Sequence, residues 1–488
     1  MMRSLFSGVA GLRTHQTRMD VIGNNIANVN TVAYKSSSMT FQDLLYQTTQ
    51  NASGANAATG RAGINAKQIG LGVATGSIST AIATGGSNEQ TGNPFDIKIN
   101  GSSFFVVNDG NNQYFTRAGA FNVDAEGTLC MSSNGYNVMG YRTTEDALGN
   151  TVIDTSQLRT LPIMSETNQV SDPMMTERAY VNGIIDQNDD SLDTDKGKIV
   201  TFAFYDNLGY SYTAQFSIKP VTTGTAPNIV KTPHQYTMTM TDIFNSEGES
   251  IMKDNTGKEM TAAAKQTALA SAIQPQTLVF SEATGAFVSS SGKTIDTETK
   301  RCDVEINLSA LGAYNKTFAA TDIKSNVVEN ATGQHIMMDL AQIKDIDNNG
   351  TSTVNGGRGT VESTEGAGWK VGELSSISIS VDGRITGAYT NGQTKLLGQI
   401  ATASFANASG LEKSGDNLYS QTANSGEAII GDITADGGSM NTGNLEMSNV
   451  DLSQEFTTMI TTQRGFQANS RVITVSDTLL EELVNLKR

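Results

Sequence analysis

Residues 1–35 read MMRSLFSGVAGLRTHQTRMDVIGNNIANVNTVAYK, and their apolar side chains recur at helical spacing. The recurring positions are Leu5, Leu12, Met19, Ile22 and Ile26. Because residues seven apart share one face of a helix, this spacing predicts a helix with a narrow apolar stripe. The polar positions between them are predicted to face solvent: Arg3, Arg13, Thr14, Gln16 and Arg18. A helix with so narrow a stripe is weak by itself, so we expect it to have a partner.

The far end of the chain shows the same spacing. Residues 445–488 read LEMSNVDLSQEFTTMITTQRGFQANSRVITVSDTLLEELVNLKR, with apolar residues seven apart at Leu452, Met459, Phe466, Ile473 and Leu480. Asp451 or Ser453 can cap the start of this second helix, because a side-chain oxygen accepts a free N–H group there. Lys487 and Arg488 are placed at the negative end of its dipole. The shared spacing predicts that the two terminal helices pair as a coiled coil.

Composition limits the class of protein. The chain has 488 residues, enough for several domains, and 49 acidic against 33 basic residues give a net charge of −16. That charge argues against nucleic-acid binding, since DNA and RNA would be repelled. The sequence has no run of about 18 apolar residues, so we expect no membrane span. Ser7, Gly8 and Gly11 interrupt the apolar start, and we therefore expect no cleaved signal peptide.

Between the ends, the chain is predicted to be mainly β. Residues 31–90 form a Gly- and Asn-rich connecting segment, which alone would be a flexible linker and in a polymer could be ordered by its neighbours. Within it, Phe41 to Tyr46 suggest a short helix and Val73 to Ile82 a strand. Short alternating strands with Asp-Gly and Asn-Gly turns occupy residues 91–145 and again 369–444, which predicts one β domain built from both stretches.

Residues 146–368 are predicted to be an insertion into this domain that forms one or two outer β domains. Ala262 to Ala272 is its one helix-like stretch, and residues 341–368 are acidic and Gly-rich, typical of a loop. The predicted fold class is therefore mainly β with a terminal α-helical coiled-coil domain. The domains are nested: residues 1–30 pair with 445–488, the first β domain surrounds them, and 146–368 lie farthest out.

The sequence contains no complete motif for catalysis, for a cofactor or for a metal. Asp345, Asp347, Asn349 and Gly350 match the first half of a calcium loop, but the closing glutamate is replaced by Gly356. An Asx-rich turn is the preferred interpretation. Cys130 and Cys302 have no neighbouring Cys or His at metal-binding spacing. We expect neither an enzyme nor a resident cofactor or metal.

Three stretches resemble the bacterial flagellar axial proteins of the rod and hook. Gly23 to Asn28, followed by Asn30-Thr31 and Tyr34-Lys35, is similar to their N-terminal signature, and Gln463 to Ser470 to their C-terminal one. Asn93 to Gly119 resembles the start of their first outer domain. Carried over residue by residue, the motif positions are Asn24, Asn25, Asn28, Tyr34, Gln463, Arg464 and Asn469.

The resemblance implies a hook-type subunit, because distal rod proteins have little beyond the first β domain and this insertion is large. It implies a helical homopolymer that transmits torque from rod to filament as a flexible tubular joint and encloses the export channel. The implied partners are the distal rod protein, the hook cap, the hook–filament junction proteins and the flagellar type III export apparatus. It also implies export without cleavage to an extracellular position in the hook.

Two alternatives stay open at this stage. The first is a distal rod or other axial protein, and the second is a secreted β-rich adhesin or surface-layer subunit. Two departures from the family pattern stand out, at Ala33, where glycine is common, and at Gly465-Phe466, where many relatives have Ala-Tyr. A non-glycine residue at position 33 leaves open whether the backbone takes a positive φ there.

Overall fold

The computed structural model describes residues 2–486 except 55–59, 61, 146–150, 224–229, 255–256, 321–327 and 329–331. The chain divides into two compact units. Unit 1 comprises Met1–Gln169, Leu374–Ala388 and Thr394–Arg488, and unit 2 comprises Val170–Glu373 and Tyr389–Gln393. Both terminal helices belong to unit 1, and unit 2 is an insertion into it.

The α-helices of the described residues are α1 Met2–Ala27, α2 Glu166–Gln169, α3 Ala262–Leu269 and α4 Leu452–Asn485. The predicted terminal helices are therefore confirmed, as is the helix in the insertion. Asp451 caps α4, its carboxylate accepting the backbone N–H groups of Ser453 at 2.9 Å and Gln454 at 3.2 Å. Lys487 and Arg488 lie outside the described residues. In the described part of the chain, no helix is long and apolar enough to cross a bilayer.

The segment after α1 forms strands β1 Ser37–Asp43, β2 Tyr46–Gln50, β3 Lys67–Gly70 and β4 Val73–Thr80. β1 pairs antiparallel with β4, and β2 pairs antiparallel with β3. The predicted strand from Val73 is confirmed, and the predicted short helix from Phe41 to Tyr46 is wrong. Leu44, Leu45 and Tyr46 are exposed, so no buried face favours a helix there, whereas strand pairing satisfies the backbone groups.

The first part of the main β region contains β5 Asn88–Gln90, β6 Ile97–Asn100, β7 Phe104–Asn108, β8 Gln113–Thr116, β9 Phe121–Val123, β10 Leu129–Met131, β11 Asn137–Glu145, β12 Thr151–Ile153 and β13 Arg159–Thr160. β7 and β8 are antiparallel neighbours joined through the predicted Asp109-Gly110 turn. Gly110 has φ +104°, which a residue with a side chain rarely adopts.

Unit 2 contains β14 Val170–Ser171, β15 Arg178–Ile185, β16 Lys198–Tyr205, β17 Ser211–Thr223, β18 Val230–Asn245, β19 Gln276–Phe280, β20 Phe287–Ser290, β21 Lys293–Thr294, β22 Asp303–Asn307, β23 His335–Asp345 and β24 Asn355–Arg358. One sheet has the order β22-β23-β15-β24 and the other runs from β16 to β21 in sequence order. Residues of both sheets share one hydrophobic core, which includes Val181, Phe204, Phe216 and Ile336.

One expectation for the insertion needs correction. Residues 341–368, predicted as loop, contain the end of β23 and all of β24. Both strands pair with β15, and these backbone hydrogen bonds outweigh the loop-like composition of the segment.

The remaining strands lie mostly in unit 1: β25 Gly372–Ile379, β26 Arg384–Tyr389, β27 Thr394–Ile400, β28 Thr402–Ser404, β29 Glu412–Gly415, β30 Leu418–Ser420, β31 Ile429–Gly431, β32 Ser439–Thr442 and β33 Asn444–Glu446. β27 pairs with β11, β28 with β7, and β30 with β8. Strands from both sides of the insertion thus form one sheet system. Its core holds Phe105 and Phe121, whose rings meet edge to face at 4.9 Å.

Candidate assembly site at the terminal helices

The terminal helices α1 and α4 lie antiparallel against each other. The contacts that show this are Ser4 with Ser476, Gly8 with Ile473, Gly11 with Asn469, His15 with Gly465, and Asn25 with Glu455. The hydroxyl oxygens of Ser4 and Ser476 are 3.3 Å apart, and the Asn25 amide donates to the Glu455 carboxylate at 2.9 Å. Residue numbers rise along one helix as they fall along the other, over nearly the whole of α1.

Small residues allow this close approach. A Cβ added to Gly8 would lie 3.1 Å from Cγ1 of Ile473, and one added to Gly11 would lie 2.6 Å from the side-chain nitrogen of Asn469. Asn469 is one of the family-motif positions, and it is half-buried on this line. Small and polar residues thus supply several of the close contacts between the two helices.

The predicted stripe lies beside this line. On α1, Ile22 is buried, whereas Leu5, Leu12, Met19 and Ile26 are half-buried. On α4, the half-buried positions are Met459, Ile473 and Leu480, and the exposed ones are Leu452 and Phe466. Ile473 lies against Gly8 of the partner helix.

One predicted solvent-facing residue is buried. Thr14 is 4% exposed, and its hydroxyl donates to the carbonyl oxygens of Ala10 and Gly11 within its own helix. This back-bonding satisfies the hydroxyl without water, so threonine can lie on the inner side of α1. Arg3, Arg13 and Gln16 are exposed as predicted.

Apolar side chains along both helices remain in solvent. They are Phe6 and Val9 on α1, and Leu452, Phe456, Ile460, Phe466, Val472, Val475, Leu479, Leu483 and Val484 on α4. Phe456 is 50% exposed, Ile460 58% and Val475 57%. A row of large apolar residues this open is typical of a surface that binds another protein.

A second element covers part of α1. The Arg18 guanidinium lies over the Phe41 ring of β1 at 5.1 Å, and the His15 ring meets the same phenylalanine edge-on at 5.4 Å. Gly72, just before β4, packs against Ala10. The connecting segment is thus placed against the helix pair by aromatic and small-residue contacts.

Asn25 connects the end of α1 to its surroundings. Its side-chain oxygen accepts the backbone N–H of Ser37 at 3.0 Å and the Tyr34 hydroxyl at 3.2 Å, and its amide nitrogen donates to the Ser37 carbonyl at 2.8 Å as well as to Glu455. Asn25 is 1% exposed. This residue therefore joins α1, the following loop and α4, a role that the motif alone did not specify.

The remaining motif residues have simpler positions. The Asn28 amide donates to the Asn24 side chain at 2.9 Å, one turn earlier in the same helix end. Gln463 and Arg464 are exposed on α4. Ala33 takes φ +57°, so the backbone does adopt the left-handed region despite its methyl group, and its N–H donates to the Glu446 carbonyl at 2.7 Å.

A buried cluster of charges lies where the helices join the β region. The Lys35 ammonium is 2.7 Å from the Glu446 carboxylate, and neither side chain is exposed. The same carboxylate accepts the Gly86 N–H at 2.9 Å, and its second oxygen is 3.7 Å from the Arg117 guanidinium. Burial lowers the pKa of Lys35, an effect that the Glu446 charge opposes.

Arg117 is held by further contacts in this cluster. It donates to the carbonyl oxygens of Ile99 and Gly101, and its guanidinium lies 5.1 Å from the Phe104 ring centre. Burial raises the pKa of the neighbouring Tyr419 to about 12. Lys35 and Arg117 lie within the family-like stretches, but no motif distinguishes them from their neighbours. The sequence feature that could have indicated their burial is a lysine or arginine within a stretch of otherwise apolar or turn-forming residues.

The segment from Asp345 to Gly350, which matches the first half of a calcium loop, forms a turn that is stabilised by hydrogen bonds to other parts of the chain. Asp345 accepts from the Tyr236 hydroxyl at 3.1 Å and lies 2.7 Å from Nδ1 of His234. Asp186 accepts the backbone N–H groups of Asn348 and Gly350 at 2.8 and 2.7 Å. Over the described ranges, no group of three or more His, Cys, Asp or Glu residues is arranged to hold a metal. Cys130 and Cys302 are free thiols, and burial raises the pKa of each.

Family models match the chain at both ends and in the first β region. The model described as Flagella basal body rod protein matches residues 5–35, Flagellar hook protein FlgE/F/G D1 domain matches 98–168, and Flagellar basal body rod FlgEFG protein C-terminal matches 441–486. These ranges include most of α1, Arg117 between β8 and β9, and Glu446 together with α4.

Full-length relatives agree with these matches. The chain is 35% identical over 497 residues to the flagellar hook protein FlgE of Treponema pallidum, covering 100% of both chains. It is also 35% identical over 499 residues to FlgE of Borreliella burgdorferi, again with 100% of both covered. The flagellar basal-body rod protein FlgG of Bacillus subtilis is 27% identical over 490 residues, with 100% of both covered.

The hook proteins are structural proteins rather than a family of enzymes. Identity at this level over the entire length, together with the matches at both terminal helices, shows that the chain belongs to the flagellar hook protein family and is a structural subunit of the bacterial flagellar hook.

Proposed function

We propose that the subunits polymerise through α1 and α4, which form a tube wall around an export channel. The two helices pair within a subunit as a short antiparallel coiled coil, and their remaining apolar side chains are buried between neighbouring copies. The resulting tube acts as a flexible universal joint that transmits torque from rod to filament. Assembly, not catalysis, is the proposed activity.

The observation that carries this proposal is the row of exposed apolar residues on α4. Phe456, Ile460 and Val475 are each at least half exposed, although the helix already packs against α1 along another line. Burying such a side chain completely contributes about 1.5–3 kcal/mol, so several of them give a strong drive to associate. The half-buried stripe residues Leu5, Leu12, Met19 and Ile26 on α1, and Met459, Ile473 and Leu480 on α4, would gain further burial in the same step.

We propose a nested arrangement of layers along the radius of the tube. Residues 1–30 with 445–488 form the inner helical layer, and 31–90 the connecting segment that absorbs changes between subunits. Residues 91–145 with 369–444 form the first β domain, and 146–368 the outer β domain. The β surfaces are expected to slide over one another during bending, because contacts between polar surfaces are weaker and more easily exchanged than buried apolar ones.

The proposed partners follow from the family. The polymer would contact the distal rod protein at its base, the hook cap during growth, and the hook–filament junction proteins at its tip. Export through the flagellar type III apparatus, without cleavage of a signal peptide, would deliver the chain to its extracellular position. The motif residues Asn24, Asn28, Gln463 and Arg464, exposed or half-buried at the helix surfaces, are available for contacts in the assembled wall.

Deleting residues 1–25 tests the role of the helices. We expect a soluble chain whose β units keep their folds but which no longer forms tubes, because half of the inner wall is missing. Electron microscopy detects the tubes, and circular dichroism checks the β fold. Tubes formed by the truncated chain would overturn the proposal.

A finer test changes the exposed face alone. The double substitution Phe456→Ser with Ile460→Ser should raise the concentration needed for assembly without unfolding α4, since both side chains face solvent. The matched control is Thr457→Ser with Thr461→Ser, which changes exposed residues of the same turns and keeps their hydroxyl groups. Equal assembly by the two variants would exclude this face as the contact between copies.

A further inference from the structure

We propose that His15 and Gly465 form a lock that fixes the register of α1 against α4, and that protonation of His15 opens this lock. The inference rests on the proposed role of the helix pair in assembly. It adds a specific contact and a condition, acidity, under which that contact fails.

In the lock, the imidazole ring of His15 packs against Gly465, which has no side chain. A Cβ added to Gly465 would lie 2.6 Å from Cε1 and 2.8 Å from Nε2 of the His15 ring. The ring therefore occupies the space that any side chain at position 465 would need. Phe41 of β1 closes the site from another side, its ring edge-on to the imidazole at 5.4 Å and an interplanar angle of 78°.

The observed register places the glycine of α4 opposite this ring. Gly465 is the single glycine in the sequence of α4, and a slip of one turn would bring Thr461, Thr462, Ala468 or Asn469 opposite His15. Each of these residues carries a Cβ, so at the observed separation the His15 ring would have to move away. The contacts between Gly11 and Asn469 and between Asn25 and Glu455 are compatible with the register that the lock selects.

The surroundings of the ring disfavour a positive charge. Within the described structure, Nδ1 of His15 is buried and has no hydrogen-bond partner, so no acceptor is placed to stabilise an added proton there. α4 faces the ring with Gly465 and β1 with Phe41, neither of which titrates, and the charged group acting on it is Arg18 of the same helix. Burial, and then repulsion from Arg18, lower the pKa of His15 from its usual 6.5.

Acidity is expected to weaken the pairing of α1 with α4. Because the paired state favours neutral His15, its contribution is fully present above pH 6.5 and is lost as the pH falls through the lowered pKa. His234 and His335, the other histidines of the chain, belong to unit 2 and pair with Asp345 and Glu305, so a variant at position 15 isolates this effect.

The volume match is tested with two glycine substitutions in full-length subunits. Gly465→Ala should raise the critical concentration for tube assembly about tenfold, a typical size for a lost side-chain contact. Gly23→Ala is the matched control, since it is also within a helix and a Cβ there meets nothing within 4 Å. Adding His15→Ser to Gly465→Ala should restore much of the loss. Equal behaviour of Gly465→Ala and Gly23→Ala would overturn the lock.

The acid response is tested by sedimentation of assembled tubes between about pH 7 and pH 5, above the usual carboxylate range. The wild-type critical concentration should rise severalfold over this range, and His15→Asn should remove that rise. An unchanged pH response in His15→Asn would overturn the acid step. These tests can be told apart from the test of the proposed function. If the chain lacking residues 1–25 still forms tubes, the proposed role of the helices is wrong. If that chain forms no tubes but Gly465→Ala assembles like the wild type, only the lock is wrong.

Discussion

At the scale of single residues, Glu446 holds four segments of the chain together. Its backbone carbonyl accepts from Ala33, and its carboxylate contacts Lys35, Gly86 and Arg117. Burying these charges is unfavourable by itself, and their mutual attraction and hydrogen bonds offset that cost only while every partner is present. The cluster therefore acts as an all-or-none joint between the helix end and the β region.

Removing one partner should be far more harmful than removing an exposed lysine. We expect Lys35→Met to lower the free energy of unfolding of unit 1 by about 3–5 kcal/mol, because the buried Glu446 carboxylate loses its nearest cation and one hydrogen bond. Lys67→Met, on an exposed strand of the same unit, should change it by less than about 0.5 kcal/mol. Urea unfolding followed by circular dichroism measures both, and similar midpoints for the two variants would contradict this account of the cluster.

At the scale of elements, α4 is a long helix that has a side-chain cap at its N-terminus and is largely exposed to solvent along its length. Asp451 satisfies two N–H groups at the first turn, and the rest of the helix runs to Asn485 with few buried residues. A helix so little covered depends on its cap and on its partners more than a core helix does. The stability of its first turn should therefore depend strongly on the cap.

Loss of the cap should loosen the beginning of α4. Asp451→Ala removes both acceptor bonds and should cost about 1 kcal/mol, within a usual range of about 0.5–2 kcal/mol. Asp451→Asn keeps a side-chain oxygen at the same place and should cost much less. Hydrogen exchange of amides in the first turns of α4, measured in assembled tubes, reports the difference. Equal exchange in the two variants would show that the cap bonds are unimportant.

At the scale of the whole molecule, the insertion is a unit with its own core. Phe204 lies in the core that joins the two sheets of unit 2, and Phe105 lies in a separate core of unit 1. The single tryptophan of the chain, Trp369, belongs to unit 2. Tryptophan fluorescence therefore reports on one unit alone.

This division predicts independent responses to core substitutions. Phe204→Ala should destabilise unit 2 by about 3–5 kcal/mol and shift the fluorescence-detected urea transition. Phe105→Ala should destabilise unit 1 by a similar amount and leave that transition in place, while the circular dichroism signal changes. A fluorescence midpoint that moves equally in both variants would show that the two units unfold as one.

Sequence patterns located the terminal helices, the Asp451 cap and the strands with their Asp-Gly turns, because each depends on neighbours within a few residues. They did not single out the close contacts between α1 and α4 at Gly8, Gly11 and His15. The seven-residue spacing of Leu5, Leu12 and Met19 indicated an apolar stripe and gave no sign of these small-residue contacts. Glycine allows two helices to approach closely, and a hydrophobicity pattern gives it no weight.

By itself the sequence determined the family, through its terminal motifs, and it predicted a nested order of helices, β region and insertion. The tertiary structure decided which residues meet: Lys35 with Glu446, His15 with Gly465, and Asn25 with Glu455. Each of these pairs is separated by more than 400 residues, so no local propensity encodes it. The pairs depend on burial and on the fit of two distant surfaces, which exist only once the chain has folded.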